Sequence, residues 1–384
     1  MKKLNLFGEK FSIEAYNNLY ALMNILPNPD KIFTKLGKNY DTLRDLKNDA
    51  HVWSCIQSRK SGSLSLDWGL MGSSDHFEHK TIIENIFKNL DIHKIIRDIL
   101  EAPLFGFQPI EIIWDYDKSN SVIYPSNLIA KPQEWFEYDT NGKLLFKTQN
   151  NREEVNPFKI LDVKYEASYL NPYGIALLSK CYWLVTFKKA AMRFWANFTE
   201  KFGIPILLGK YSRGATQHEI EDLANTLVDM AEDSVIVTPV DIDIEIHEAN
   251  KSTSIELFKE LIKFCNGEIS KTILSQTLTT ELDMGSYAAA QTHFKVRKEV
   301  ILSDVRLIES TLNKLIKYIF ELNKWNLSEL PKFKIFINEA DNEQRIERDI
   351  KLVQAGILKF TKKYLINNYG FKEDDFFIAN NNNQ

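Results

Sequence analysis

The chain has 384 residues, 44% of them hydrophobic and 26% charged, both ordinary values for soluble globular proteins. That length accommodates two or three domains, and the composition rules out wholesale disorder. A total of 48 basic against 52 acidic residues gives a net charge of −4, so no basic field covers the molecule and a generic DNA-coating role is disfavoured.

Cys55, Cys181 and Cys265 are odd in number, far apart and set among apolar residues. They exclude a disulfide framework, argue against a cysteine zinc site and predict a reducing compartment. Lys2 and Lys3 resemble the opening of a signal peptide, but Glu9 interrupts before an apolar stretch builds. No run approaches the length of a transmembrane helix. The expectation is a cytoplasmic protein.

Short helices are predicted between Phe11 and Leu46, broken by Pro27-Asn28-Pro29 and Gly37. Val52, Cys55, Ile56 and Arg59 recur at helical spacing over 51–62. Ser63–Leu70 alternates at period two and predicts a strand. Residues 80–101 carry two runs of Ile, Leu and Phe at three and four and predict helix. From 103 to 166 the pattern changes to short strands between turn signals, with Asn141-Gly142 marking a hairpin.

Asn171-Pro172-Tyr173-Gly174 is a turn that opens a long helix from about Ile175 to Phe202, ended by Gly203 and Pro205. This helix carries Lys180, Lys188, Lys189, Arg193 and Lys201 against the single acid Glu200. The segment 203–250 reverses that balance. It holds ten acids and two bases, a net −8 that leaves +4 for the rest of the chain (−4 less −8). Its pattern is strand 204–208, helix 217–230, strand 234–239 and an alternating strand 241–246. A second long helix, 252–274, has Thr253 and Glu256 at capping-box spacing. After the eleven-residue connection 276–286 comes a third long helix, 287–323, then a strand at 331–339, a charged helix at 341–355, a short helix at 361–368 and an Asn-rich tail. The fold class is α+β, mainly helical.

The search for chemistry finds little. No phosphate loop ending in Gly-Lys-Ser/Thr, HExxH, GxSxG or CxxC occurs. His76 and His79 stand beside Asp75 and Glu78, which suits either a metal site or a solvated loop, the loop being the commoner case. Asp241, Asp243 and Glu245 share one strand face; divalent-metal nuclease chemistry uses such oxygens, but so does the wet face of any amphipathic strand. Trp183, Phe187, Phe194, Trp195 and Phe198 could stack bases, although stripes at this spacing usually form core or subunit interface. Lys295, Arg297 and Lys298 make a local positive spot, by default solvated surface. The Thr-rich connection 276–286 is longer than helix–helix joins usually are and predicts a projecting functional loop or mere slack.

Several separated motifs now agree. Asn171-Pro172-Tyr173-Gly174 is followed by Tyr182-Trp183, Phe187-Lys188, Trp195, Glu200-Lys201-Phe202-Gly203-Ile204-Pro205 and Gly209-Lys210-Tyr211. The strongest piece is Ile269–Glu281, then Gly285-Ser286-Tyr287-Ala288-Ala289, with Phe105–Glu111 adding a match before them. In this order, over about residues 100–300, the chain resembles the Mu-like phage portal family; its C-terminal 60 residues match more weakly. Where Ser275 stands the family usually has Gly, which implies a stiffer turn here.

The resemblance implies a ring, typically a dodecamer, at one vertex of a tailed-phage head, through which double-stranded DNA is packaged and ejected. It implies a wing (1–172, with its β-rich module at 103–166), stem helices (173–202 and 251–275), an acidic α/β clip (203–250), a tunnel loop (276–286), a wing helix and strand (287–340) and a reduced crown (341–384). Gln276, Thr277, Leu278, Thr279, Thr280 and Glu281 would border the DNA channel. Asp241, Asp243 and Glu245 of the clip would dock the terminase large subunit and later the head-completion or adaptor proteins. Major capsid and scaffold proteins are further implied partners, and the virion is the implied location after assembly in the bacterial host cytoplasm. No catalytic residue, metal, cofactor or membrane is implied. An acidic clip suits a conduit, because fixed lysine–phosphate contacts would grip the DNA that must slide. Two readings remain beside it: a metal-dependent DNA-processing enzyme using the acids of 241–245, and a helical interaction protein with no DNA role.

Overall fold

Two cores organise the described residues, a larger one between small sheets and the longest helix and a smaller one around a fifteen-residue helix. The structure, a computed structural model, describes residues 26–71, 77–148, 151–203, 207–230, 235–240, 251–277, 287–326, 330–336, 342–356, 358–362 and 364–365. Helices α1 (Lys31–Leu36) and α2 (Tyr40–Asp45) are short; Gly37 at φ 59° closes the first in the left-handed conformation that glycine adopts at no steric cost. Helix α3 (Ala50–Leu64) begins at Asp49, whose carboxylate accepts from the N–H groups of His51 and Val52. It buries Val52, Cys55, Ile56 and Arg59, the predicted stripe.

The helix runs further than its sequence suggests. Ser63 and Leu64 belong to α3, and strand β1 begins only at Asp67 (Asp67–Met71), so the strand predicted from Ser63 is corrected at its first four residues. The alternating Ser-Leu-Ser-Leu fits a last helical turn as well as a strand. The strand starts where a partner exists: β1 pairs antiparallel with β10 (Lys332–Phe336), Asp67 opposite Phe336. The single helical stretch predicted at 80–101 is two helices, α4 (Phe77–Asn89) and α5 (Ile92–Ile99), with a one-turn helix α6 (Ala102–Phe105) just beyond it. Asp91 makes the break by capping α5 through the N–H of Lys94.

The β-rich module is present as expected. Strand β2 (Phe107–Asp117) lies between β3 (Val122–Ala130) and β7 (Ile160–Lys164), all antiparallel. A second small sheet orders β4 (Phe136–Tyr138), β5 (Leu144–Lys147) and β6 (Arg152–Glu154), with Gly142 at φ 75° in the predicted hairpin. Helix α10 (Tyr287–Leu322) lays Val305, Ile308, Leu312, Leu315, Ile316 and Ile319 on α5, β2, β3 and β10, which forms the main core. Trp68 stacks on Phe333 at 5.4 Å between ring centres, joining strands far apart in sequence.

Two long helices complete the frame, α7 (Leu177–Gly203) and α9 (Lys251–Leu274). Between them stands a β–α–β unit: β8 (Leu207–Tyr211), α8 (Gln217–Met230) and β9 (Val235–Pro239), with β8 and β9 parallel, Leu207 opposite Val235. The predicted strand 241–246 lies outside the described residues. Helix α11 (Asn342–Gln354) is followed by Gly356 at φ 68°. A turn at Thr361–Leu365 is the described part of the last predicted helix.

Candidate functional site

Helix α7 has neither Gly nor Pro before Gly203, so nothing interrupts its rod. Leu178, Cys181, Val185 and Ala191 are buried along it, as are Cys265, Ile269, Ile273 and Leu274 along α9. Phe198, late in α7, meets Phe258, early in α9, at 6.2 Å between ring centres, while Cys181 and Ile269 share one core at the other ends. The helices are therefore antiparallel.

Each rod also carries a second apolar stripe that is exposed among the described residues. On α7 it is Trp183, Phe187 and Phe194, each about half exposed or more, with Trp183 and Phe187 stacked at 5.7 Å. On α9 it is Leu257, Leu261 and Phe264. Residues four and seven apart lie on one side of a helix, so both are continuous stripes. The sequence offered core, subunit interface or base stacking for the aromatic series. The structure removes own-chain core as the whole answer: Trp195 and Phe198 turn partly inward, and Trp183, Phe187 and Phe194 remain out.

Helix α3 ties α7 and α9 together through polar groups. Lys188 Nζ reaches Asp49 at 2.9 Å, and both side chains are nearly buried. Burial alone would raise the Asp49 carboxyl, but Lys188 and the N–H of Val52 outweigh it and hold the group below its ordinary value. His51 Nε2 lies 2.7 Å from Ser270 Oγ on α9, and the Cys55 thiol lies 3.6 Å from the same oxygen. Burial pushes the Cys55 thiol up, and the Cys181 thiol up to about 12, so neither is a reactive thiolate. One turn on, Arg59 forms a fork on Asp304 of α10, with Nε and Nη2 at 2.8 and 2.7 Å from the two carboxylate oxygens. Burial works against the guanidinium charge, and Asp304 more than compensates, holding Arg59 above its ordinary value.

Of the predicted channel residues, Gln276 is buried and Thr277 sets a methyl near Gly267 of α9. Leu278, Thr279, Thr280 and Glu281 lie outside the described residues, as do Asp241, Asp243 and Glu245. Of the basic series on α7, Lys180, Lys189 and Arg193 are exposed and Lys188 is the buried partner of Asp49. Arg297 is half-buried and donates to the Ser58 carbonyl at 3.4 Å. His79 packs on Trp325 at 4.4 Å, and His76 lies outside the described residues. Among the described residues no group of three or more His, Cys, Asp or Glu is placed to hold a metal ion, and no helix is long and apolar enough to cross a membrane. Sequence reading missed the roles of Asp49, Ser270 and Asp304. The available signal was Arg59, a charged residue at helical spacing with Val52, Cys55 and Ile56.

This arrangement of helices and sheets is shared with chains of solved particle structures. The fold is similar to a chain of the neck of a native gene transfer agent particle computed with C12 symmetry, with a TM-score of 0.59 at 10% identity, covering 93% of this chain and 99% of that one. It is also similar to a chain of the virion of that particle type, with a TM-score of 0.56 at 11% identity, covering 85% and 92%. A family model described as the portal protein of Mu bacteriophage matches residues 40–371, and the chain belongs to that family. It is 24% identical over 327 residues to the Mu-like prophage FluMu protein gp29 of Haemophilus influenzae, covering 81% of this chain and 62% of that protein. It is 24% identical over 336 residues to the portal protein of Escherichia phage Mu, covering 81% and 63%. The chain thus spans somewhat under two thirds of the length of these curated relatives. Family membership bears out the resemblance read from the motifs and gives no support to the nuclease reading.

Proposed function

We propose that this chain is a portal subunit: it closes into a ring at one vertex of a phage-type capsid, and double-stranded DNA enters and leaves through the ring. The observation that carries this reading is the pair of uncovered apolar stripes on α7 and α9. Aromatic residues left outside on long rods are costly for a monomer and natural for a subunit contact. In a ring each subunit uses one face toward one neighbour and a different face toward the other, which suits a helix pair with more than one apolar surface. Symmetry of order twelve in a neck of the same fold supports a dodecamer.

In this reading α7 and α9 are the stem, and residues 203–250 are the clip. Asp241, Asp243 and Glu245 offer the terminase large subunit and head-completion or adaptor proteins a charged docking face. Residues 276–286, with Gln276, Thr277, Leu278, Thr279, Thr280 and Glu281, border the channel. Residues 1–172 and 287–340 form the wing, and 341–384 a small crown. Assembly takes place in the host cytoplasm against scaffold and major capsid proteins. The subunit itself catalyses nothing and acts by shape and charge.

Light scattering on the purified chain, with negative-stain images of the same peak, tests the reading. A species near twelve times 44.6 kDa with ring views and a central hole is the expected result. A monomer that stays monomeric in the presence of scaffold and capsid proteins would overturn it.

A further inference from the structure

The helices that enter and leave the 275–286 connection are both held by one buried side chain. Arg59 is 7% exposed and sits on α3, remote in sequence from either helix. Its Nε and Nη2 grip Asp304 of α10, and its Nη1 donates to the Ile273 carbonyl of α9 at 3.0 Å. Its guanidinium also lies over the Tyr165 ring at 5.6 Å. The Ile273 carbonyl is among the last four of α9, which the helix cannot satisfy by itself. Two residues later Ser275 stands at φ 58°, a left-handed conformation that L residues avoid, so the turn is held by its surroundings rather than by local preference. A cavity of about 260 Å³, lined by Arg59, Tyr165, Thr272, Ser275, Glu299 and Ser303, lies at this junction and gives the turn room to relax.

We propose that Arg59 is the positioning residue of the 275–286 connection. Its planar fork ties the last turn of α9 to α10 and so sets the direction in which the chain leaves the stem. A lysine cannot reproduce this, because a point ammonium does not serve two carboxylate oxygens and a carbonyl in one plane. That the connection so positioned meets DNA rests on the portal reading above; the anchoring does not.

Hydrogen exchange on the full chain, in the assembly state in which it purifies, tests this with two variants. Arg59→Lys keeps the charge opposite Asp304. The double variant R59M/D304L removes the ion pair while filling its space, and it is expected to fold even where the single change does not. Both are expected to raise exchange at the amides of 275–286 roughly tenfold or more, with less than about a twofold change in β2 and β3. Unchanged exchange at 275–286 in either folded variant overturns the proposal, as does a uniform rise through α3, α9 and α10. A local rise accompanied by normal DNA packaging upholds the anchoring and counts against the channel role of the connection, so the two readings fail separately.

Discussion

Gly106 and Gly174 face each other backbone to backbone. Gly106, at φ 92°, has the Tyr173 carbonyl oxygen where its Cβ would go; Gly174, at φ 72°, has the carbonyl oxygens of Gly106 and Tyr165 in that place. The Gly106 carbonyl accepts from Tyr165 N at 2.8 Å, and the Tyr165 carbonyl accepts from Ile175 N at 2.9 Å. The contact fixes the segment leading into α7 against the start of β2.

A side chain at either position meets both a left-handed backbone and a wall of carbonyls. Gly106→Ala and Gly174→Ala are each expected to cost about 3 kcal/mol or more, and the strain leaves no easy relaxation. Urea unfolding of the two variants checks this. Gly37→Ala serves as control, since it shares a positive φ of 59° but has open space around it, and it is expected to lose only about 1 kcal/mol.

These two glycines also show what could be read from the chain. Phe105-Gly106-Phe107 and Asn171-Pro172-Tyr173-Gly174 were visible as separate turns and separate family motifs. Helical period, caps and Gly/Pro punctuation gave α7, α8, α9 and α10 to within about two residues, because long amphipathic helices follow local rules. What is non-local was hidden. The end of α3 at Leu64 depends on β10 pairing with β1 across the chain, and the burial of Lys188 depends on Asp49. Nothing in the spacing of a lysine on a basic helix tells which one is covered. The channel and clip residues were named by resemblance to a family, and 278–281 and 241–245 lie outside the described residues.

The Asp49–Lys188 pair is the acid-sensitive joint between α3 and α7. Asp49 also caps α3, so its carboxylate accepts from Lys188 and from two backbone N–H groups. Its pKa in the folded protein lies below the ordinary 3.8. A depressed carboxylate contributes stability above its unfolded value, and that contribution is lost as pH falls through the folded value. Lys188→Met is therefore expected to destabilise by about 3 kcal/mol at pH 7 through the stranded buried charge. Between the wild type and Asp49→Asn, the stability gap is expected to hold from neutral pH to about 4 and to close below it. Thermal melts of both proteins across that range give the answer.

Ser275 occupies the left-handed position that ends α9. Ser275→Gly is expected to relieve roughly 1 kcal/mol of local strain, partly offset by the freer unfolded chain. Ser275→Val is expected to lose about 1–2 kcal/mol, since a β-branched residue tolerates φ 58° poorly. Equal melting temperatures for the three proteins would show that the turn is not under strain.

The exposed aromatic stripe gives a prediction about assembly rather than folding. Trp183→Ser and Phe194→Ser touch side chains that are 49% and 62% exposed, so the isolated subunit is expected to lose under about 1 kcal/mol. Large aromatic residues at the centre of an interface typically carry about 2 kcal/mol or more each. The double variant is thus expected to keep its helical circular-dichroism spectrum and to run as a smaller species by light scattering. Unaltered mass would mean that the stripe lies outside the subunit contact.

The proposed clip and the proposed channel connection separate by what each variant loses. Replacing Asp241 and Asp243 with Asn, and Glu245 with Gln, removes three charges per subunit from a segment of net −8. Charge at a docking rim acts mostly on encounter rate and salt dependence, so terminase association is expected to slow about tenfold at low salt, with little change in folding. Deleting 277–284 is expected to leave ring assembly intact and to impair packaging or retention of DNA. Intact packaging by the deleted protein would remove the channel role from 276–281, while a lost ring would move that segment into the subunit contact. The two variants crossed in one packaging assay place docking and conduction in different segments of the same chain.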